Sequence, residues 1–308
     1  MMRQKNPFKK EKYKSQKTSR IVSLVGTYTL LTILSLVWII PILWVVLQAF
    51  RGDSGSVDGT FFPSSFGVIN FQKLFTSSYY GAEYAYLRWF GNTLIVSIIC
   101  CILSTFLILS VAYCMSKLRF KLRKPFMNLS MILGLFPGFM SMIAIYFLLK
   151  AIGLSGQTEE KAWLNLVGLI IAYSAGSGMG YQVAKGFFDV VPSSLVESAK
   201  LDGCSNFKIF CKIILPLSKP IIIYTALTSF TGPWMDFIFA KVIIGTGAPE
   251  MWTVSVGLYS LLFGEQPDAS LFTEFCAGCT IVAIPITTLF MCLQKYYVEG
   301  VTAGAVKG

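Results

Sequence analysis

Six apolar stretches, each long enough to cross a lipid bilayer, dominate the chain. They run roughly over residues 21–50, 91–116, 126–150, 163–187, 221–244 and 275–297. A hydrocarbon core about 30 Å thick requires roughly 20 helical residues. Inside it no water is available to pair backbone N–H and C=O groups, so only helices and closed barrels cross. Continuous apolar runs of this length predict helices. Only 13% of the residues are charged and 55% are hydrophobic, against about 25% charged in soluble domains. That excludes an ordinary soluble fold. The expectation is an all-α polytopic membrane protein with six transmembrane helices. The first stretch follows eight Lys/Arg residues. It is too long for a signal-peptide core and lacks a small-x-small cleavage site, so it reads as a retained span.

Basic residues set the orientation. The tail 1–20 carries eight Lys/Arg, segment 117–125 carries five, loop 191–220 carries four, and 295–308 carries two. The alternate loops 51–90, 151–162 and 245–274 carry four in total. The positive-inside rule then places both termini and the 191–220 loop in the cytoplasm. The chain divides into a basic cytoplasmic tail (1–20), a membrane domain (21–297) that includes the loop 188–216, and a short cytoplasmic tail (298–308). The net charge of +11 does not argue for nucleic acid, because the basic residues flank apolar runs. The N-terminal tail reads instead as a topology signal that touches anionic lipid. The absence of histidine removes the commonest metal ligand and the commonest general base. The eight cysteines lie in the spans or the cytoplasmic loop, so no external disulfide framework is expected. Cys276 and Cys279 alone are a weak metal signal and read as buried small hydrophobes.

The segment VPSSLVESAKLDGCSNFKIFCKIILPLSKP, Val191–Pro220, is polar where its neighbours are apolar, and it carries helix punctuation. Pro192 stops the preceding helix. Ser194 and Glu197 have capping-box spacing, with Ser194 as N-cap and Glu197 at N3. A helix over Leu195–Asp202 follows, and Gly203 stands where a left-handed residue ends it. Ser205 caps a second helix, Asn206–Leu215, closed by Pro216. Leu195 and Ala199 share one face; Phe207, Phe210, Ile213 and Ile214 line another. The second helix is expected to pack on the span ends. The first, short and flanked by charge, suits docking into a partner's groove.

Glu197-Ser198-Ala199, Gly203 and Ile213-Ile214-Leu215-Pro216 resemble the EAA signature E-A-A-x3-G-x9-I-x-L-P, with Ser198 as the one departure. That signature marks the cytoplasmic loop of membrane subunits of ABC importers. Lys185-Gly186-Phe187-Phe188, Val191-Pro192, Leu201-Asp202-Gly203 and the C-terminal EGVTAGAVKG resemble the carbohydrate branch, specifically its shorter, six-span maltose-type permeases. The resemblance implies a type I importer permease fold, in which the loop is a coupling helix docked on a cytoplasmic ATPase. Leu195, Glu197, Ser198, Ala199, Leu201, Asp202, Gly203 and Phe207 are then its coupling residues. It further implies a homologous permease partner (a heterodimer), two ATPase subunits and an extracellular solute-binding protein, in the plasma membrane of a prokaryote. ATP and Mg belong to the ATPases; no cofactor is expected on this chain, which has no phosphate-binding P-loop motif. The transported sugar is expected to be maltose, a maltodextrin or another oligosaccharide.

Within the spans, charges are costly and usually face an interior or a cavity. In GPWMDFIFAKVIIG, which resembles the W-N-x-F stretch of carbohydrate permeases with Asp236 offset from the family's polar position, Asp236 either lines a translocation path or bonds a neighbouring helix. Trp234, Tyr173 and Ser177 are the other path candidates. Lys241 either lines the path or snorkels outward. The small-residue run Ser174–Gly180 is either a close helix contact or a hinge, and Pro137, Gly138 and Pro285 mark candidate kinks. The aromatic loop 51–90 and the acidic loop 245–274, with Glu250, Glu265, Asp268, Glu274 and Trp252, suit docking of the binding protein. Two rival functions are weaker. An ion-coupled secondary transporter would need mid-membrane carboxylates, and Asp236 is the only plausible one. A membrane-embedded enzyme would need clustered acids or metal ligands, and none is visible. Orientation is tested directly: on a cysteine-free background, an impermeant thiol reagent added from outside should label a cysteine at Gly264 and miss one at Ser205, and the reverse pattern overturns the topology.

Overall fold

The computed structural model describes residues 7–53, 55, 60–264 and 267–305. The first six residues of the basic tail, Glu265 and Lys307 therefore lie outside the described residues. The chain order is α1 (Pro7–Ala49), α2 (Ile69–Thr76), α3 (Ala85–Lys117), α4 (Arg123–Leu133), α5 (Gly138–Ala151), α6 (Trp163–Ser177) and α7 (Tyr181–Val190). There follow α8 (Ser193–Leu201), α9 (Asn206–Ile209), α10 (Leu215–Leu217), α11 (Lys219–Met235), α12 (Ile238–Ile244), α13 (Val254–Phe263) and α14 (Phe272–Ala305). Among the described residues no β-strand forms; the only β-type pairings are the isolated bridges Arg51–Phe66 and Tyr79–Ala82.

All six apolar runs are helical, but they are not six uninterrupted rods. Three segments are long and apolar enough to cross a membrane as single helices: Ser19–Ala49, Ala85–Lys117 and Ala269–Lys295. The third run is two helices, α4 and α5, bent by 103°. Pro137 stands at the bend as the N-cap of α5, with ψ 130; its missing N–H and its steric demand on the preceding residue end α4's path. The fourth run is split by a 3-10 turn over Gly178–Gly180, within the small-residue stretch. The fifth run breaks at Asp236, which is extended (ψ 126) between α11 and α12. Pro285, by contrast, is accommodated inside a continuous α14.

The long α3 is the spine; α6, α7, α11 and α13 all pack on it. Its two ends belong to two separate cores. Near its N-terminus, Tyr86, Trp89 and Val96 are fully buried with Ile243, Val256, Leu261 and Cys276. Trp89 stacks on Trp252 at 5.9 Å and on Tyr79 at 6.0 Å; its Nε1 donates to the Pro249 carbonyl at 2.7 Å. Near its C-terminus, Ile108, Ala112 and Tyr113 join Phe188, Ile209, Ile214 and Ile221. The apolar window of α1 is 0% buried, which is the surface that lipid covers in a bilayer.

Gly257 is required by the first core. A Cβ there would lie 2.1 Å from the Trp89 ring, whereas a Cβ at the exposed Gly186 of α7 meets nothing within 4 Å. Overpacking of this kind costs about 1–3 kcal/mol. Gly257→Val is therefore expected to lower the melting temperature of the detergent-solubilised protein clearly, and Gly186→Ala to leave it unchanged or raised; equal behaviour of the two contradicts the packing account.

Candidate functional site

Two sites emerge, each at an interruption of regular helix. The first is the polar loop after α7. Helix α8 begins two residues earlier than the capping-box reading implies. Pro192 is its N-cap (φ −56, ψ 132), and no side chain caps it. Proline presets the entry geometry, so Ser194 falls inside the first turn and Glu197 is too far along to reach back; the capping box is not formed. The other end follows expectation. Gly203 has φ +75, its N–H donates to Lys200 O at 3.0 Å, and Cys204 N–H donates to Ala199 O at 2.9 Å. This pair of bonds is a Schellman motif, which needs the left-handed conformation that glycine adopts freely. Ser205 caps α9 by accepting from Lys208 N–H at 3.3 Å.

The second helix does not stop at Pro216. It widens into a π-helical segment over Phe210–Ile214 and continues to Leu217. Leu215 N–H bonds back to Phe210 O, five residues away. Widening of this kind relieves the clash of a proline ring with the preceding turn. The chain then turns by 89° into α11.

The buried faces also differ from the expected ones. In α8 the anchors are Val196 (4% exposed) and Ala199 (7%), while Leu195 is 44% exposed. Leu195 and Val196 are both apolar, so the i, i+3 and i, i+4 faces were indistinguishable by pattern. In α9 and beyond, Ile209, Phe210 and Ile214 are buried, but Phe207 is 70% exposed. Leu201 is 89% exposed, and Glu197, Ser198, Asp202 and Gly203 are exposed as well. The loop thus hides one narrow edge and presents large apolar side chains beside charges.

Residues that pattern reading missed tie the loop to the spine. The Tyr113 hydroxyl donates to Asn206 O at 3.0 Å, and Lys117 Nζ donates to Val191 O at 2.6 Å. Ser116 donates to Asp189 at 2.6 Å, and Lys185 pairs with Asp189 at 2.6 Å. Burial pushes the Asp189 carboxyl up, but the Lys185 and Ser116 hydrogen bonds and the lysine charges outweigh it and hold it below the usual carboxylate range. This tether is complete above the ordinary carboxylate pKa and weakens as pH falls through the lower, folded-state value. No sequence motif announces the bonds from Tyr113, Ser116 and Lys117, whose partners lie 73 to 93 residues away.

The second site is the break at Asp236. Its carboxylate accepts from Phe239 N–H at 3.2 Å and Ala240 N–H at 3.1 Å, two donors left orphaned at the start of α12. The Tyr173 hydroxyl of α6 donates to the same carboxylate. Both residues line a cavity of about 460 Å³ with Phe139, Met142, Ile145 and Gly176. Trp234 and Ser177 are not brought there. Trp234 is 3% exposed and packs on Phe90 at 5.1 Å; Ser177 Oγ donates to Ser174 O at 2.6 Å. Asp236 thus bonds a neighbouring helix, as one of the two readings expects, and it also faces this cavity.

The described residues form a helical bundle with several broken spans and a short helix held on its rim. The chain belongs to the family of binding-protein-dependent transport system inner membrane components, whose model matches residues 105–302. It is 33% identical to the galactooligosaccharides transport system permease protein of Bacillus subtilis (strain 168) over 293 residues, 95% of this chain and 98% of that one. It is also 33% identical to a maltodextrin transport system permease protein of the same organism over 291 residues, 94% and 99% of the two chains. Its fold matches a chain of a bacterial ABC transporter involved in the import of the acidic polysaccharide alginate, with TM-score 0.74 at 20% identity, covering 91% of this chain and 98% of that one.

Loss of a helix-capping side chain costs about 0.5–2 kcal/mol. Asp236→Ala should lower thermal stability in detergent by an amount in that range. Asp236→Asn, which still accepts hydrogen bonds, should lose less, and Tyr173→Phe about 1 kcal/mol. Equal stability of Asp236→Ala and the parent contradicts the capping role.

Proposed function

We propose that this chain is a permease subunit of an ATP-driven importer that moves a carbohydrate, an oligosaccharide such as a maltodextrin or galactooligosaccharide, across the cell membrane of a prokaryote. The observation that carries the mechanism is the construction of α8. Val196 and Ala199 seat it in the same core as the C-terminal end of α3, and Gly203 fixes its exit, while Leu195, Leu201 and Phe207 remain outside. A short helix rigidly joined to the spine and carrying unpartnered apolar side chains suits docking in a groove of another subunit. In this reading the groove belongs to a cytoplasmic ATPase that binds ATP and Mg. Both termini lie in the cytoplasm, a second, homologous permease completes the pathway, two ATPase subunits drive it, and an extracellular solute-binding protein delivers the sugar. The named substrates of the relatives in Bacillus subtilis support the carbohydrate class.

The ion-coupled alternative is weaker on geometry. Asp236, the one candidate coupling carboxylate, is already engaged by two backbone N–H groups and a tyrosine hydroxyl, so releasing it to bind an ion would uncap α12.

Gly203→Val forces a β-branched side chain into a left-handed backbone. The local cost is small beside the fold of the bundle, so insertion into the membrane is expected to survive. Position of α8 is not. Reconstituted with its ATPase and binding protein, the variant should retain the ATPase poorly in pull-down, or hydrolyse ATP without uptake. Parent-like assembly, hydrolysis and uptake would falsify the coupling role of this loop.

A further inference from the structure

A cavity of about 630 Å³ opens where the C-terminal end of α3 and the starts of α4 and α8 meet. That volume falls in the range of small-ligand pockets. Four cations line it: Lys117, Arg119, Arg123 and Lys200. Two acids line it as well, Asp189 and Glu197. Asp189 is already engaged, by Lys185 from outside the lining and by Ser116, each at 2.6 Å. Lys117 spends one of its N–H groups on Val191 O. Arg119, Arg123 and Lys200 form no ion pair or side-chain hydrogen bond with any described residue, Glu197 included. The cavity therefore holds positive charge in excess, and two of its guanidinium groups are uncommitted. Such planar forks match the oxygens of a phosphate.

The place of the cavity in the fold supplies an independent observation. Helix α3 is long and apolar enough to cross a membrane, and Lys117 is its last residue. The cavity thus lies where a spanning helix leaves hydrocarbon and the lipid headgroups begin. Arg123 opens α4, and no residue of α4 is buried. Phe126, Leu129 and Leu133 follow Arg123 at helical spacing and are all exposed, which gives an apolar strip that starts at the rim of the cavity. Leu118 and Phe120 carry apolar surface into the lining itself. Positive charge at one end and a strip of apolar surface leading away from it match the two halves of an anionic phospholipid. A soluble phosphate or the acidic side chain of a docked protein would leave the strip unused.

We propose that this cavity binds the phosphate headgroup of an anionic phospholipid, with Arg119 and Arg123 as its main donors, Lys117 and Lys200 as supporting charges, and the acyl chains lying along α4. The site joins α8, through Lys200, to the start of α4, through Arg123. The reading does not depend on the transported sugar or on coupling to an ATPase.

The test is native mass spectrometry of the full chain in detergent, titrated with dioleoyl phosphatidylglycerol, with dioleoyl phosphatidylcholine and with inorganic phosphate. Phosphatidylglycerol should bind saturably and about tenfold more tightly than phosphatidylcholine, and excess inorganic phosphate should not displace it. The double variant Arg119→Gln/Arg123→Gln should bind phosphatidylglycerol about tenfold more weakly. Lys208→Gln/Lys212→Gln makes the same change of charge at exposed positions outside the lining, and it should bind like the parent. The proposal is overturned if phosphatidylglycerol binds no better than phosphatidylcholine, if the arginine variant binds it like the parent, or if the lysine variant weakens it as much. Displacement of the lipid by inorganic phosphate assigns the cavity to a soluble phosphate and overturns the lipid site. Should the double variant fail to enter the membrane, Arg119→Gln alone, at an exposed position, carries the same test: a loss of about threefold supports the site, and unchanged affinity overturns it.

Discussion

In hydrocarbon a backbone amide has no solvent to turn to, so each place where a spanning helix breaks must be repaired by the protein itself. The described breaks show how. At Asp236 the carboxylate replaces the missing helical acceptors for Phe239 and Ala240 N–H, and Tyr173 braces it from α6. At the α4–α5 bend, Gly134 N–H still reaches Ser130 O at 3.0 Å, and Met140 N–H reaches the Pro137 carbonyl at 3.0 Å. Proline supplies no N–H of its own to satisfy. The irregular backbone therefore survives at depth because local side chains and turn bonds complete it, and the cavity beside Asp236 lies where two such breaks face one another.

The distribution of core explains why the ends of the molecule differ from its middle. Aromatic rings and small residues pack one end around Trp89 and Trp252; aliphatic residues and Phe188 pack the other around Ile209 and Ile214. The spine α3 takes part in both. Any displacement of α8 is felt at Ile108 and Tyr113 through the packed core, because close-packed side chains transmit displacement instead of absorbing it. The bends at 103° and 89° and the 3-10 turn at Gly178–Gly180 interrupt the rods that connect these ends. The combination is two firm ends joined by one continuous helix and several interrupted ones.

Much of the loop between α7 and α11 was legible because its signals are local. A glycine eleven residues after a proline, a serine two residues later and a fixed apolar spacing locate two helices and the turn between them. Gly203 and Ser205 behave as their neighbours dictate. Local signals also misled. Pro192 took the N-cap position from Ser194, since a proline already in extended conformation leaves its successors free to start the helix. Val196, not Leu195, turned inward, because two adjacent apolar residues leave the buried face to be chosen by whatever the helix meets.

The sequence by itself determined that this chain is a helical membrane protein with a polar, basic loop of two short helices, because apolar length, charge and turn residues act over a few positions. Only the tertiary structure decided which spans bend, that Asp236 caps a half-helix while Trp234 is buried elsewhere, and that Lys117, Arg119, Arg123 and Lys200 meet at one cavity. Those outcomes depend on contacts between residues far apart in the chain, such as Phe90 and Trp234. No local pattern encodes such pairs; they are set by how the packed helices rotate and cross to bury their side chains.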